Sequence, residues 1–325
     1  MTKLPDLYPL KFVPILKEKV WGGDKLHTVL KKKGTKKTGE SWEISGVEEA
    51  ISQVANGSLK DQSLTDLIKK YKEELVGVDV YKNFGHTFPL LFKFIDADQD
   101  LSVQVHPDDK LAKEQHNSFG KTEMWYIVAS EKGARLILGF QEGTSEQEYL
   151  ESLSKGTLSE ILNFEYIQAG DVFYLTPGTV HAIGAGILLA EIQQTSDITY
   201  RIYDWDRPDL NGKMRKLHTD LAKQAIDYNA TNAEVTYENL KNEVIPLKST
   251  RFFETNKLFI TQTFERDLKT IDSFIVYMCV DGEATIKANG FSEKIQKGET
   301  LLIPASFTSL TIISSSVSLL ETYIP

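Results

Sequence analysis

Between residues 86 and 194 the apolar positions come in short, turn-bounded runs: HTFPLLFKFID, LSVQVH, EMWYIVA, ARLILGF, DVFYLTP and GILLAEIQQ. Runs of this length, rich in β-branched and aromatic residues, predict strands. In LSVQVH the alternation sets Leu101, Val103 and Val105 on one face and Ser102, Gln104 and His106 on the other, because successive side chains of an extended chain point to opposite sides. Helical spacing is confined to a few segments. Leu64, Leu67, Ile68 and Tyr71 recur at threes and fours in SLTDLIKKYKEELVG, as do Tyr149, Leu150 and Leu153 until Gly156 interrupts them. A third segment, KLHTDLAKQAIDY, groups Leu217, Leu221, Ala225 and Ile226 on one face. The polar stretch NATNAEVTYENLKNEVIPLKST then breaks the pattern before strands resume. A mainly β chain in two parts follows, with residues 1–230 in one domain and 231–325 in the other.

An internal repeat sharpens that picture. GDVFYLTPGTVHAI at 170 to 183 aligns with GETLLIPASFTSL at 298 to 310: a glycine, an acidic residue, an apolar run, then Pro177 or Pro304 followed by small residues. The first copy presents His181 four residues after its proline; the second has Thr308 there, and no histidine follows it. One copy carries candidate chemistry and the other does not.

Composition excludes several classes. A chain of 325 residues, 41% hydrophobic and 26% charged, can bury two cores. The start, MTKLPDLYPLKFVPILKEKVWGG, has no signal-like apolar segment, and no run approaches the roughly 20 apolar residues of a membrane helix, so a cytoplasmic protein is expected. The single cysteine, Cys279, lies in the buried-strand pattern SFIVYMCVDG and reads as packing. A net charge of −9 argues against nucleic acid, which demands a dense basic surface. The one basic run, KKKGTKK at 31 to 37, reads as a solvated loop.

Six histidines beside one cysteine turn any metal hypothesis toward nitrogen and oxygen ligands. Gln104 and His106 can reach a common ion because alternate strand residues face the same way. Glu123 opens the strand EMWYIV, and His181 ends the PGTVH turn. Singly, each has a structural reading: a buried glutamate usually sits in an ion pair, and a lone histidine is usually packed. Together they offer a divalent cation two imidazoles, a carboxylate and an amide oxygen, with room for water or substrate.

At these residues the chain resembles a known family. Q-x-H, a following glutamate and a glycine-bounded strand ending in PGxxH are similar to the metal-binding pattern of the cupin superfamily. VWGG, GESWEIS, FPLLFKFIDADQDLSVQVHPDD, GKTEMWYI, PGTVHAIGAG and QTSDITYRIYDWDR resemble, in order, the type I mannose-6-phosphate isomerases of the short bacterial kind. The resemblance implies two cupin-type jelly-roll β-barrel domains with a few accessory helices, the second lacking metal ligands. It implies one Zn²⁺ held by Gln104, His106, Glu123 and His181, catalytic roles for Arg201, Asp197 and Lys121, and substrate contacts from Ser102, Lys93, Arg207 and Trp21. Within that set, Ser102 and Arg207 are the residues it assigns to the substrate phosphate. The remaining aromatics, Trp42 and Trp125 among them, are expected to pack. Gly120 departs from longer members, which carry a histidine there.

The implied reaction interconverts mannose 6-phosphate and fructose 6-phosphate through an enediol. The expected partner is a hexose 6-phosphate, with no nucleic acid or membrane, in a monomer or weak homodimer. A metal ion and a guanidinium suit charge that develops on oxygen, and the proton shuttle is left to Asp197, Lys121 or metal-bound water. Two other classes share the pattern: a sugar-phosphate-binding cupin without turnover, and a non-heme iron oxygenase, in which Gln104 would occupy a position usually left for substrate or gas.

Overall fold

The computed structural model describes residues 6–229 and 233–325. In the first part the described strands are β1 (Ile15–Gly23), β2 (Thr38–Ile44), β3 (Leu90–Ala97), β4 (Val103–Val105), β5 (Glu123–Ser130), β6 (Arg135–Phe140), β7 (Leu162–Tyr166), β8 (Val172–Leu175), β9 (His181–Ile183), β10 (Ile187–Gln194) and β11 (Tyr200–Tyr203). They form two antiparallel sheets, one ordered β1-β2-β3-β10-β5-β8 and the other β11-β4-β9-β6-β7. Strand parity divides their side chains between an inner and an outer face. Trp125, Ile127, Leu189, Leu136, Leu138 and Ile183 pack together between the two sheets. The alternate residues Phe92, Phe94, Met124, Ala190 and Ile192 pack outward from the six-stranded sheet, and Val103, Val105, Ala182, Tyr200 and Ile202 pack outward from the five-stranded one.

This confirms the predicted two-faced strand and corrects it at one residue. Leu101 precedes β4 and joins the inner cluster instead of the face of Val103 and Val105: its amide already donates to the Ile183 carbonyl, but the regular alternation starts only with β4.

The helices are short: α1 (Lys25–Thr28), α2 (Leu64–Tyr71), α3 (Glu73–Val76), α4 (Val78–Phe84), α5 (Asp109–His116), α6 (Glu146–Lys155) and α7 (Thr219–Ala225). Ser63 caps α2 by accepting from the Asp66 amide, and the predicted run ends early because Lys72 adopts φ +50°. At α6, Ser145 and Glu148 form a reciprocal capping box and Gly156, at φ +70°, closes the helix where the periodicity predicted. α7 begins only at Thr219, leaving Leu217 exposed rather than on its buried face.

The second part contains β12 (Val244–Ser249), β13 (Glu254–Ile260), β14 (Phe264–Asp267), β15 (Ile275–Ala288), β16 (Phe291–Gln296), β17 (Thr300–Ile303) and β18 (Ser309–Tyr323). The repeat is visible in its registers. β17 pairs with β15 as β8 pairs with β5, so Ile303↔Ile275 stands where Leu175↔Glu123 stands in the first part. Across the next strand, Tyr277↔Glu321 matches Trp125↔Glu191, and Asn256↔Glu321 matches Lys93↔Glu191. The position of Glu123 is therefore an isoleucine in the second copy. Glu321 is fully engaged there, accepting from Tyr277, Asn256 and both Nε and Nη2 of Arg266.

The expected division at 230/231 falls on residues outside those described. Beyond it, the Val235 amide still donates to Val172 of β8, while Lys241 bridges to Phe259 of β13. One apolar cluster spans both parts: Leu10, Phe12, Leu64, Leu67 and Ile68 pack with Phe92, Met124, Phe274, Val276 and Leu320. Leu10 also exchanges backbone hydrogen bonds with Leu302, tying the N-terminal segment to the second barrel. Lys32, within the basic run read as solvated, is buried against Glu43 at 2.7 Å.

Candidate metal centre and catalytic cavity

The inner face of the first barrel changes character along its length, apolar at one end and polar at the other. On the five-stranded sheet Arg201, Gln104 and His181 lie side by side on β11, β4 and β9. Opposite them, Glu123 and Trp125 on β5, Glu191 on β10, Lys93 on β3 and Trp42 on β2 form the facing rows. Parity alone puts these residues inside: all but Trp42, which Ser41 and Glu43 flank, alternate with outward-packed apolar neighbours.

His106, Glu123 and His181 converge, with their ligand atoms all within 4.8 Å of one another and every side chain buried. Glu123 Oε1 lies 3.3 Å from His181 Nε2, and Glu123 Oε2 lies 3.8 Å from His106 Nε2. Atoms bound tetrahedrally to zinc at its usual distances stand roughly 3.3 Å apart, so the spacing suits a small divalent ion. Both imidazoles are oriented for it. His106 Nδ1 faces the Ile198 carbonyl and His181 Nδ1 the Thr179 carbonyl, each at 2.9 Å, which leaves the Nε2 lone pairs turned inward. His106 Nε2 and Glu123 Oε1 are buried without a hydrogen-bond partner, as expected of atoms kept to ligate a cation. Gln104 sets its amide 3.3 Å from His181 Nε2, and a half-turn of that amide presents Oε1 at the same point.

Electrostatics agree with this. Burial lowers His181 to about 4 and, with help from Lys121, holds His106 well below the ordinary imidazole value, so both rings stay neutral and able to ligate. Burial raises Glu123 to about 7, against the pull of Lys121, whose Nζ is 3.1 Å from Oε2. Lys121 itself loses by burial but is held above the ordinary lysine value by Glu123 and Glu191.

The cavity beside this cluster encloses about 220 Å³. Of the residues singled out in the sequence, Trp21, Lys93, Ser102, Gln104, Lys121, Asp197 and Arg201 line it. Arg201 donates from Nη1 to the Lys216 carbonyl, and its buried Nε stands 3.9 Å from Asp204 Oδ2 without making a hydrogen bond. Arg207 does not line the cavity. Its guanidinium donates to Gln99 Oε1 and the Asp100 carbonyl and stands 3.6 Å from Asp204. Gly120 has no space for a side chain, because a Cβ there would come within 2.5 Å of the Asp109 amide nitrogen.

Sequence reasoning missed Glu191, Glu40, Trp42, Lys17, Lys19 and Arg215, all of which line the cavity. Glu191 accepts from Lys93 Nζ at 2.7 Å and from the Trp125 indole at 3.1 Å. Burial alone would raise its pKa, but Lys93 and Lys121 outweigh that and lower it. Its signal was present in GILLAEIQQ, where one carboxylate shares the parity of Gln193 in an otherwise apolar strand. Trp42, expected to pack, donates its indole N–H to Glu40 at 2.8 Å.

Two family models match the chain: the catalytic domain of type I phosphomannose isomerase over residues 10–134, and the cupin domain of mannose-6-phosphate isomerase over 245–324. Mannose-6-phosphate isomerase ManA of Bacillus subtilis is 35% identical over 300 residues, 91% of this chain and 93% of its own. The chain belongs to the type I phosphomannose isomerases. The mannose-6-phosphate isomerase of Streptococcus mutans is likewise 35% identical, over 93% of this chain and 94% of its own. A solved structure of the Bacillus subtilis isomerase superposes with a TM-score of 0.88 at 32% identity, covering 97% of this chain and 99% of that one. A structure from Archaeoglobus fulgidus, at 22% identity and a TM-score of 0.79, shares the fold over the whole chain. Against these phosphomannose isomerases the first barrel carries the candidate metal centre and the second is the cupin domain without one among the described residues.

Proposed function

We propose that this chain is a mannose-6-phosphate isomerase, interconverting mannose 6-phosphate and fructose 6-phosphate in the cavity of its first barrel. The observation that carries the reading is the convergence of His106, Glu123 and His181 beside the cavity that Arg201 lines, in a chain of this family. Zn²⁺ is the ion we assign, held by Gln104, His106, Glu123 and His181, because the donors are imidazole and oxygen and the isomerisation needs no redox change. When bound, such an ion polarises the carbonyl and hydroxyl oxygens of the open-chain sugar.

The chain's own residues divide the remaining work. Arg201 supplies a fixed positive charge toward the oxygen that gains electron density as the proton beside the carbonyl leaves. Asp197, exposed at the cavity rim and without a hydrogen bond or ion pair among the described residues, is the carboxylate available to carry that proton between neighbouring carbons. Glu191 and Lys93 neutralise each other and hold a rigid polar floor. Lys121 keeps the Glu123 carboxylate in place, and Ser102 offers a hydroxyl to the sugar. We place the substrate contacts on Lys93, Ser102 and Trp21, and leave Arg207 out because it does not line the cavity and its two terminal nitrogens are bound to Gln99 and Asp100.

A coupled assay for fructose 6-phosphate, run on protein stripped of metal and then reloaded, tests the reading. Turnover falls to background on stripping and returns with Zn²⁺. Full activity in the stripped protein would remove the metal from the mechanism, and oxygen uptake with iron would favour an oxygenase instead.

A further inference from the structure

Asp204, the residue after β11, is buried and has three guanidiniums around it. Arg215 takes both of its oxygens in a fork, Nε donating to Oδ2 at 2.6 Å and Nη2 to Oδ1. The other two come close without bonding. Arg207 Nη2 stands 3.6 Å from Oδ1 and donates to the Asp100 carbonyl instead, while Arg201 Nε stands 3.9 Å from Oδ2 and is buried without a hydrogen bond. Arg201 and Arg215 line the cavity; Asp204 does not.

This arrangement decides how much charge Arg201 can offer. A buried carboxylate needs a paired cation, and a bidentate arginine satisfies it better than a single contact does. With Arg215 in the fork, Asp204 has its partner, and repulsion between guanidiniums keeps Arg201 off the same oxygens. Burial and Arg215 lower the pKa of Arg201, and Asp204 counters them only in part. The carboxylates that line the cavity do not neutralise Arg201 either: Glu40 pairs with Lys19, Glu191 pairs with Lys93, and Asp197 forms no ion pair among the described residues. Arg201 is held instead by neutral groups. Its Nη1 donates to the Lys216 carbonyl at 3.1 Å, its backbone N–H donates to His218 Nδ1 at 3.2 Å, and its carbonyl accepts from the His218 amide at 2.7 Å. Without Arg215, Asp204 would be a buried charge lacking its fork, with the unbonded Nε of Arg201 already beside Oδ2. A short movement of the Arg201 side chain would pair the two and turn its charge away from the cavity.

We propose that Arg215 is a positioning residue of this isomerase: by occupying both oxygens of Asp204, it prevents that carboxylate from capturing Arg201. The inference rests on the isomerase reading above and concerns only how Arg201 keeps its charge available.

The test compares metal-loaded wild type with Arg215→Met and with the double variant Arg215→Met/Asp204→Asn, in which the carboxylate that would capture Arg201 is neutral. In Arg215→Met, kcat for mannose 6-phosphate falls roughly 10- to 100-fold, part of the loss expected on deleting the Arg201 guanidinium itself, while KM stays within about threefold and bound metal is unchanged. Adding Asp204→Asn restores kcat to within about fivefold of wild type, the coupling expected of residues that share one ion-pair network. A merely structural role would give no such rescue. An unchanged kcat in Arg215→Met would overturn the proposal, and so would a rise confined to KM, which marks Arg215 as a substrate contact. A loss of kcat that persists in the double variant, folded and metal-loaded, would overturn it as well. That last measurement also decides the matter if Arg215→Met alone fails to fold, because the double variant buries no carboxylate at 204. Metal-loaded wild type without turnover would overturn the isomerase reading and this inference together, whereas the other outcomes leave that reading in place.

Discussion

At the scale of single residues, the metal ligands and the arginine are expected to separate cleanly. His106→Ala and His181→Ala each remove an imidazole that nothing nearby replaces, so both variants lose bound metal and turnover together, as elemental analysis and the coupled assay will report. Arg201→Ala keeps its metal, because the guanidinium is not a ligand, and loses roughly 10²- to 10³-fold in kcat, the usual effect of deleting one electrostatic stabiliser of a developing oxyanion. Retained metal in either histidine variant would count against the proposed ligand set. Glu40 gives a stability signature. Burial favours its neutral form, but Lys19, Lys93 and the Trp42 indole outweigh this and hold the carboxyl at about 2, below its ordinary 4.5. The folded value lies under the unfolded one, so the stabilisation is complete above pH 4.5 and is lost as pH falls toward about 2. Urea midpoints measured across that window should fall more steeply for wild type than for Glu40→Gln.

Single elements owe their form to local rules that tertiary contacts sometimes override. The capping box and Gly156 fix both ends of α6, and the sequence pattern placed that helix accurately. α5 was not anticipated, although Asp108 caps it by accepting from the Leu111 amide, because its residues Asp109 to His116 are almost wholly polar and give no apolar period. What α5 does is close the loop between β4 and β5 against Gly120. A side chain at this position has no room, because a Cβ on Gly120 would run into the backbone of Asp108 and Asp109 where α5 begins. Gly120→Ala should destabilise the protein by about 1–3 kcal/mol, as overpacking against rigid backbone does, measured by chemical denaturation. A neutral effect would mean that α5 can shift outward at little cost.

Across the whole molecule, the two barrels are not independent bodies strung on one chain. Leu10, Phe12 and the residues of α2 pack in the same cluster as β15, β17 and β18, and the Leu75 and Glu74 carbonyls accept from the Ala305 and Ser306 amides. Residues 245–325 expressed alone would expose this face to water. We expect them to lack a cooperative thermal transition by circular dichroism, while the full chain unfolds in one. A cooperative transition in the isolated segment would show that the second barrel carries its own stability. The repeat also gains a physical reading at this scale. Where the first barrel leaves polar atoms unsatisfied around His106 and Glu123, the second places Ile275 at the carboxylate position and saturates Glu321 with Arg266, Tyr277 and Asn256. The first barrel keeps polar atoms free for a ligand, and the second satisfies its buried carboxylate with its own side chains.

The sequence by itself determined the β class, the inner and outer faces of the strands, the histidines and glutamate that converge in the candidate metal centre, and the lack of histidine from the second copy. These follow from a period of two, turn residues and short motifs, all of which are local. Only the tertiary structure decided the partners of each charge. Glu191, Glu40 and Lys17 look like ordinary strand residues until β1, β2, β3 and β10 lie side by side, and Arg207 looks like a cavity residue until its guanidinium is found bound to Gln99 and Asp100. Pairing across strands that are far apart in the chain depends on register and sheet order, and a one-dimensional pattern carries neither.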